Sequence, residues 1–126
     1  MLVVPSSVRP SSIHGLGVFA DEDIPSGTPV WLNGEYMSEL QIDSLNRLSE
    51  LAARLFERYG YWDIQKQCWK LPIDDSRYMN HSERPSLEIT PGGSYVARYD
   101  IKAGEELTCD YREFTIWPPT HKGQRT

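Results

Sequence analysis

Only one stretch of this sequence has amphipathic periodicity of helix length. Between residues 38 and 59, apolar side chains recur at steps of three and four, at Leu45, Leu48, Leu51, Ala52, Leu55, Phe56 and Tyr59. This spacing predicts a helix over residues 38–59 that packs one face on a sheet. Ser38 and Gln41 form a candidate capping box at its start, and Gly60 stands where a C-terminal cap belongs. Any sheet must therefore come from the short apolar runs elsewhere.

Turn residues divide the rest of the chain into short β-prone runs. The runs are residues 2–4, 17–20, 29–32, 61–64, 68–71, 87–90, 94–99 and 106–109. Pro5, Pro10 and two Ser-Ser pairs punctuate the chain between the first two runs. The turn at residues 24–28 predicts a hairpin joining 17–20 to 29–32, and Pro-Gly-Gly at 91–93 predicts a second hairpin. The pattern indicates an α+β, mostly β fold of small antiparallel sheets with one main helix.

Length and composition narrow the class of protein. The 126 residues favour one domain spanning 1–126, and no apolar run is long enough to span a membrane. Without a secretory signal pattern, we expect a cytoplasmic protein that has no membrane partner. The net charge of −5 has the wrong sign for direct nucleic-acid binding and suits a cationic substrate better. Cys68 and Cys109 lack zinc-ligand spacing, which predicts buried thiols and no metal site.

Three motifs follow one another along the chain. Residues 12–20 (SIHGLGVFA) contain a Gly-x-Gly turn, residues 77–82 read RYMNHS with Pro85 after them, and residues 104–111 read GEELTCDY. Together they resemble the Gly-x-Gly, Asn-His-Ser and Glu-Leu-x-x-Asp-Tyr motifs of the SET-domain family, the protein-lysine methyltransferases that use S-adenosylmethionine. The resemblance covers about residues 3–112. It implies a SET-type fold built around a threaded pseudo-knot, with residues 113–126 as a short C-terminal tail.

The resemblance also implies site residues. Tyr111 would be the catalytic residue, as a hydrogen-bonding wall rather than a base, since a phenol has a pKa near 10. Glycines allow close backbone approach to a ligand, and Asn and neutral His can both donate and accept hydrogen bonds. The residues implied to bind S-adenosylmethionine are His14, Gly15, Leu16, Gly17, Asn80 and His81. We also expect Trp117 or Phe114 of the tail to cover the adenine or to pack on the core.

The expected substrate channel departs from the family pattern. The family often has an aromatic residue where this chain has Leu32, so Trp31 is the candidate to replace it. Ile89 and Tyr95 complete the predicted channel. Because residues 87–89 contain no tyrosine, the channel is expected to have room for more than one round of methylation. Residues 83–86 lack the Cys and Asn of the family pattern, and the tail lacks the cysteine-rich zinc segment found in many members.

The leading hypothesis is a lysine methyltransferase acting on a basic protein or peptide with an accessible lysine. One alternative is a catalytically silent peptide-binding module that keeps the fold. Another is a hydrolase using Cys109 with His81 or His121, although no local nucleophile signature supports it. Glu106 and Asp110 could form an acid/base pair on one strand face, but a structural role is favoured. The small size is compatible with a homodimer that completes the substrate groove.

Overall fold

The computed structural model describes residues 1–34, 37–41, 44, 47–63 and 66–113. In these residues the chain forms ten strands, one α-helix and two short 3₁₀ turns. The strands are β1 Ser6–Pro10, β2 Leu16–Ala20, β3 Pro29–Trp31, β4 Met37–Gln41, β5 Tyr61–Asp63, β6 Cys68–Pro72, β7 Asn80–His81, β8 Leu87–Ile89, β9 Tyr95–Ala97 and β10 Glu106–Cys109. The helix, α1, is Glu50–Tyr59, and the 3₁₀ turns are Asp75–Tyr78 and Tyr111–Glu113. No helix among the described residues is long and apolar enough to cross a membrane.

Three small sheets make up the fold. Their strand orders are β1-β2-β10-β7, β3-β9-β8 and β4-β6-β5. The predicted class of small sheets with one main helix is confirmed, and so is the hairpin of β8 and β9. One described pairing departs from the expected antiparallel pattern. Strands β7 and β10 are parallel, with Thr108 beside Asn80 and Cys109 beside His81, so the second and third motifs lie side by side.

The predicted hairpin between residues 17–20 and 29–32 is wrong. Strand β2 pairs with β1 and β10, whereas β3 pairs with β9. The turn between β2 and β3 is held by residues later in the chain. Ile24 forms a β-bridge with Ile101, and the Gly27 N–H donates to the carbonyl of Ala97 at 2.8 Å. The stretch rich in serine and proline, expected to separate two β-prone runs, instead contains the edge strand β1. Pro10 is tolerated there because it ends an edge strand.

The predicted helix begins too early. It starts at Glu50, with the side chain of Ser49 as its N-cap accepting from the Ala52 N–H at 3.2 Å. Residues 37–41 form β4, which pairs along its whole length with the buried strand β6. Pairing with a buried strand thus overrides the candidate capping box of Ser38 and Gln41, which lies in this segment.

The end of the helix and its packing on a sheet agree with the prediction. Ala53 and Phe56 pack with Leu48 against a small core of Trp62 and Trp69, while Leu51 is 77% exposed. Gly60 is the C-cap in extended backbone rather than in the left-handed region. Glycine is needed there because a Cβ would lie 2.7 Å from the backbone oxygens of Lys70 and Phe56.

The main core lies between the two other sheets. It is formed by Val18, Ala20, Ile24, Val30, Trp31, Met79, Leu87, Tyr95, Ala97, Ile101, Leu107 and Cys109. Tyr111 packs against it from the end of β10. The core therefore fixes the strands that carry the second and third motifs relative to Trp31 and Tyr95.

Candidate functional site

The Gly-x-Gly turn is held by the side chain of Asn80. The Asn80 amide nitrogen donates to the carbonyl oxygens of His14 and Leu16, each at 3.0 Å. Gly15 has a φ of +47°, a conformation that strains other residues, and nothing lies within 4 Å of the position a Cβ would take. The first motif is therefore tied to the second by hydrogen bonds, and its tip faces open space.

Glu106 joins the third motif to the same turn. One carboxylate oxygen accepts from the Ser11 hydroxyl at 2.7 Å, and the other accepts from the Asn80 amide at 2.9 Å. A Cβ on Gly17 would lie only 2.4 Å from that second oxygen, so this glycine is required by close approach. Glu106 thus has the predicted structural role.

Asp110 is also committed to a structural contact. Arg112 makes a forked ion pair with it, at 2.9 Å from Nε to Oδ1 and 2.7 Å from Nη2 to Oδ2. The hydrogen bonds from Arg112 lower the pKa of Asp110 to about 2. Asp110 is therefore not placed to accept a proton near neutral pH, and both carboxylates of the suggested acid/base pair are engaged in structural contacts.

His81 and Tyr111 contact each other at the end of the parallel strand pair. The backbone N–H of Tyr111 donates to His81 Nδ1 at 3.0 Å, which assigns the proton of a neutral imidazole to Nε2. The two rings lie 5.4 Å apart, and the Tyr111 hydroxyl donates to the carbonyl of Met79. His81 Nδ1 is thus engaged by backbone and does not serve as a base toward Cys109.

A cavity of about 380 Å³ opens beside Tyr111. The predicted channel residues Trp31, Ile89 and Tyr95 all line it together with Tyr111. Trp31 and Tyr95 meet edge to face, with ring centroids 6.0 Å apart, and burial raises the pKa of the Tyr95 phenol. The structure thus brings together four residues that the sequence places far apart.

Sequence reasoning missed one wall of this cavity. It is formed by Tyr59, Gly60, Tyr61, Trp62 and Asp63, at the end of α1 and along β5. Burial, reinforced by the charge of Asp63, raises the pKa of Tyr61, whose hydroxyl donates to the sulfur of Met37. The available signal was the cluster of three aromatic residues within positions 59–62.

Further cavity residues lie in the second and third motifs or within two residues of them. Ser76, Arg77 and Met79 precede Asn80 in the chain, and Cys109 and Glu113 flank Tyr111. Asp63, another lining residue, is paired with the buried Lys70 at 2.9 Å. The lining therefore contains six aromatic side chains together with the charged residues Asp63, Arg77 and Glu113.

The residues implied to bind a cofactor lie beside the cavity rather than in it. His14, Leu16 and His81 are not among its lining residues, but Asn80 joins the glycine turn to the strand that follows Met79. Trp117, Phe114 and His121 lie outside the described residues, so their expected roles stay predictions.

The two cysteines are buried thiols, as predicted. Burial raises the pKa of Cys68, and the charges of Glu39 and Asp63 raise it further. Within the described ranges, no group of three or more His, Cys, Asp or Glu side chains could hold a metal ion.

Three of the solved structures similar to this chain come from Polycomb Repressive Complex 2. An apo form of ctPRC2 with two mutations in Ezh2 matches at 25% identity with a TM-score of 0.69, covering 90% of this chain. A humanized mutant of the Chaetomium thermophilum complex bound to the inhibitor GSK126 matches at 25% identity and a TM-score of 0.64, covering 86%. The autoinhibited ctPRC2 bound to S-adenosylmethionine matches at 24% identity with a TM-score of 0.63 and covers 86% of this chain. At that identity the match supports the fold alone.

This chain spans only 15–16% of the length of those three chains. No curated protein matches it. The sequence profile of the SET domain matches residues 15–112, which include the core of all three motifs. The chain therefore belongs to the SET-domain family.

Proposed function

We propose that this protein is an S-adenosylmethionine-dependent protein-lysine N-methyltransferase. The observation that carries the proposal is the joining of the three motifs at one place. Asn80 holds the glycine turn, and its strand β7 pairs with β10, which leads to Tyr111 at the cavity. A cofactor surface and an aromatic channel thus meet at Tyr111.

The residues around the glycine turn fit such a cofactor. The position beyond Gly15 is open, Leu16 is 45% exposed, and the His81 side chain is about one third exposed. An apolar side chain and polar ring and backbone groups on one accessible surface suit a ligand with an adenine and a charged amino-acid end. When bound, this cofactor supplies an activated methyl group for transfer to the acceptor nitrogen.

The chain must present a neutral amine in the channel. A free lysine has a pKa of about 10.4, so neutralising it at pH 7 costs roughly 4.6 kcal/mol. The aromatic lining lowers this cost because a poorly solvated site disfavours the ammonium form. Glu113, an exposed carboxylate at the cavity, attracts the cation before it enters.

Tyr111 is proposed to orient the amine. Its hydroxyl is held by the carbonyl of Met79 and its backbone by His81, so the ring has a fixed position in the cavity wall. Fixed geometry matters more than acidity here, because alignment of the reacting atoms supplies much of the rate.

The test is transfer of radiolabel from S-adenosylmethionine to a lysate and to mixed basic proteins. We expect Tyr111→Phe to reduce the rate roughly 100-fold, as misplacement of reacting groups commonly does. Tyr99→Phe is the matched control, because Tyr99 is exposed, donates to Glu105 and does not line the cavity. Equal rates for wild type and Tyr111→Phe would defeat the catalytic assignment.

The silent peptide-binding module predicts a different result. Such a module would bind a basic peptide without requiring the cofactor and would transfer no label. Calorimetry with S-adenosylmethionine distinguishes the two functions, and heat of binding that disappears in Asn80→Ala would support the enzyme.

The number of methyl groups added follows from the channel. Ile89 lines the cavity and offers no hydroxyl to hold a methylated amine in one orientation. We therefore expect di- or trimethylated product by mass spectrometry at long times, and Ile89→Tyr should shift the product toward monomethyl. Only monomethyl product from the wild type would contradict this expectation.

A basic protein or peptide is the proposed partner. The acidic net charge of −5 supports it, and the similar chains from a repressive complex favour protein partners. The homodimer and the cytoplasmic location stay predictions.

A further inference from the structure

The indole of Trp31 is held by a hydrogen bond inside the cavity wall. Its Nε1–H donates to the Ser76 hydroxyl oxygen at 3.2 Å. Trp31 is 9% exposed and meets the edge of the Tyr95 ring. The large ring thus has one polar anchor, and the position of this anchor determines where the ring lies.

Asp74 in turn orients the anchor. The Ser76 hydroxyl donates to Asp74 Oδ1, and the Ser76 N–H donates to the same oxygen at 3.0 Å. Because the single hydroxyl proton of Ser76 is used by Asp74, its lone pairs are free to accept from the indole. Burial would raise the pKa of Asp74, but hydrogen bonds from Ser76 and Leu2 outweigh it and lower that pKa.

The N-terminal residues close this arrangement. The Leu2 N–H donates to Asp74 Oδ2 at 2.8 Å, and Leu2 also forms an antiparallel bridge with Trp31. The Val3 N–H donates to the Val30 carbonyl at 2.9 Å on the same strand. One segment therefore holds both the backbone of Trp31 and, through Asp74 and Ser76, its side chain.

We propose that Ser76, oriented by Asp74, is a positioning residue that fixes the indole of Trp31 as a wall of the substrate channel. This inference rests on the proposed methyltransferase function. Ser76 acts through the ring, so its loss widens or tilts the channel without touching the glycine turn. The protein substrate should be affected and the cofactor should not.

The first measurement is independent of activity. In ¹⁵N spectra of tryptophan side chains, the indole N–H of Trp31 is assigned as the resonance that Trp31→Phe removes. Ser76→Ala should shift this resonance and speed its exchange with solvent. Ser7→Ala is the matched control, because Ser7 also donates its hydroxyl to an aspartate, Asp21, at 2.6 Å but does not line the cavity.

The second measurement is kinetic and uses the basic protein that accepts label. Ser76→Ala should raise its KM about three- to tenfold, the size expected for one buried hydrogen bond, with the cofactor KM changed less than about twofold. Ser76→Thr, which keeps the hydroxyl, should restore most of the affinity. In a Trp31→Phe background, Ser76→Ala should have almost no further effect.

Two results would overturn the proposal. One is a Trp31 indole resonance that Ser76→Ala leaves unchanged. The other is a rise in KM from Ser76→Ala that is as large in the Trp31→Phe background, where the indole N–H is absent, as in the wild type. If no protein accepts label, the methyltransferase proposal fails and the resonance alone decides whether Ser76 positions Trp31.

Discussion

Replacing Gly17 by alanine should destabilise the protein through one carboxylate. The new Cβ would lie 2.4 Å from Glu106 Oε2 and 2.8 Å from its Cδ, which no real contact tolerates. The Glu106 carboxylate must then move, which it can do because it is the end of a flexible side chain. Moving it stretches or breaks its hydrogen bonds from Ser11 and Asn80, at 2.7 and 2.9 Å.

The magnitude follows from these two bonds. A hydrogen bond to a charged group contributes roughly 1.5–3 kcal/mol, so losing both costs about 3–6 kcal/mol. Alanine in a strand recovers roughly 0.5–1 kcal/mol relative to glycine. We therefore expect Gly17→Ala to lower the free energy of unfolding by about 2–5 kcal/mol. The melting temperature should fall by about 4 °C for each kcal/mol.

A double-mutant cycle with Glu106→Ala isolates the cause. In that background the carboxylate is gone, while Asn80 keeps the carbonyls of His14 and Leu16 as acceptors. Gly17→Ala should then cost less than about 1 kcal/mol, since only the Ser11 Cβ at 3.1 Å has to give slightly. The coupling energy should be at least about 1 kcal/mol.

Urea unfolding followed by circular dichroism measures the wild type, the two single variants and the double variant. Gly15→Ala is the control, because its cost, about 1–2 kcal/mol, comes from a left-handed backbone and not from Glu106. That cost should be the same in both backgrounds. If Gly17→Ala costs as much without the carboxylate as with it, the assignment of this glycine to Glu106 is wrong.

Two further predictions concern the helix end and the acid range. Gly60→Ala places a Cβ 2.7 Å from the Lys70 backbone oxygen and should cost about 1–3 kcal/mol in urea unfolding, whereas Gly92→Ala meets open space and should stay within about 0.5 kcal/mol. A loss of unfolding free energy in Gly60→Ala as small as in Gly92→Ala would contradict this prediction, because it would show that β6 moves away from the new Cβ at little cost. Arg112 lowers the pKa of Asp110 to about 2. The ion pair of Asp110 with Arg112 therefore stabilises the folded protein above about pH 4, and this stabilisation is lost as the pH falls toward 2. Asp110→Asn should flatten the fall in unfolding free energy across this window, and an unchanged slope would contradict the assigned ion pair.

The sequence predicted strands best where turns and apolar runs coincide. The hairpin of β8 and β9 and the last strand, residues 106–109, follow directly from such local signals. The start of the helix did not, because the candidate capping box of Ser38 and Gln41 lies in residues 37–41, which pair with buried β6 instead. Partners distant in the chain, such as β3 with β9, depend on packing that no local pattern encodes.

The candidate site divides in the same way. The motifs pointed to Tyr111 and to the glycine turn, and Trp31, Ile89 and Tyr95 do line one cavity. The wall along residues 59–63 was missed, because its aromatic side chains read equally well as core. The anchoring of the glycine turn by Asn80 and Glu106 is a three-dimensional arrangement of contacts that a single sequence does not specify.

The reach of the Asn80 amide has a consequence for folding. It bonds residues 66 and 64 positions earlier in the chain and a carboxylate 26 positions later. Closing such long loops is slow, and the glycine turn has all its anchors only when Asn80 of β7 and Glu106 of β10 are both in place. A partly folded chain without β10 therefore lacks the Glu106 anchor of this surface. A ligand that binds there selects the complete fold, and at 100 times its dissociation constant it adds about 2.7 kcal/mol to the stability of the whole domain.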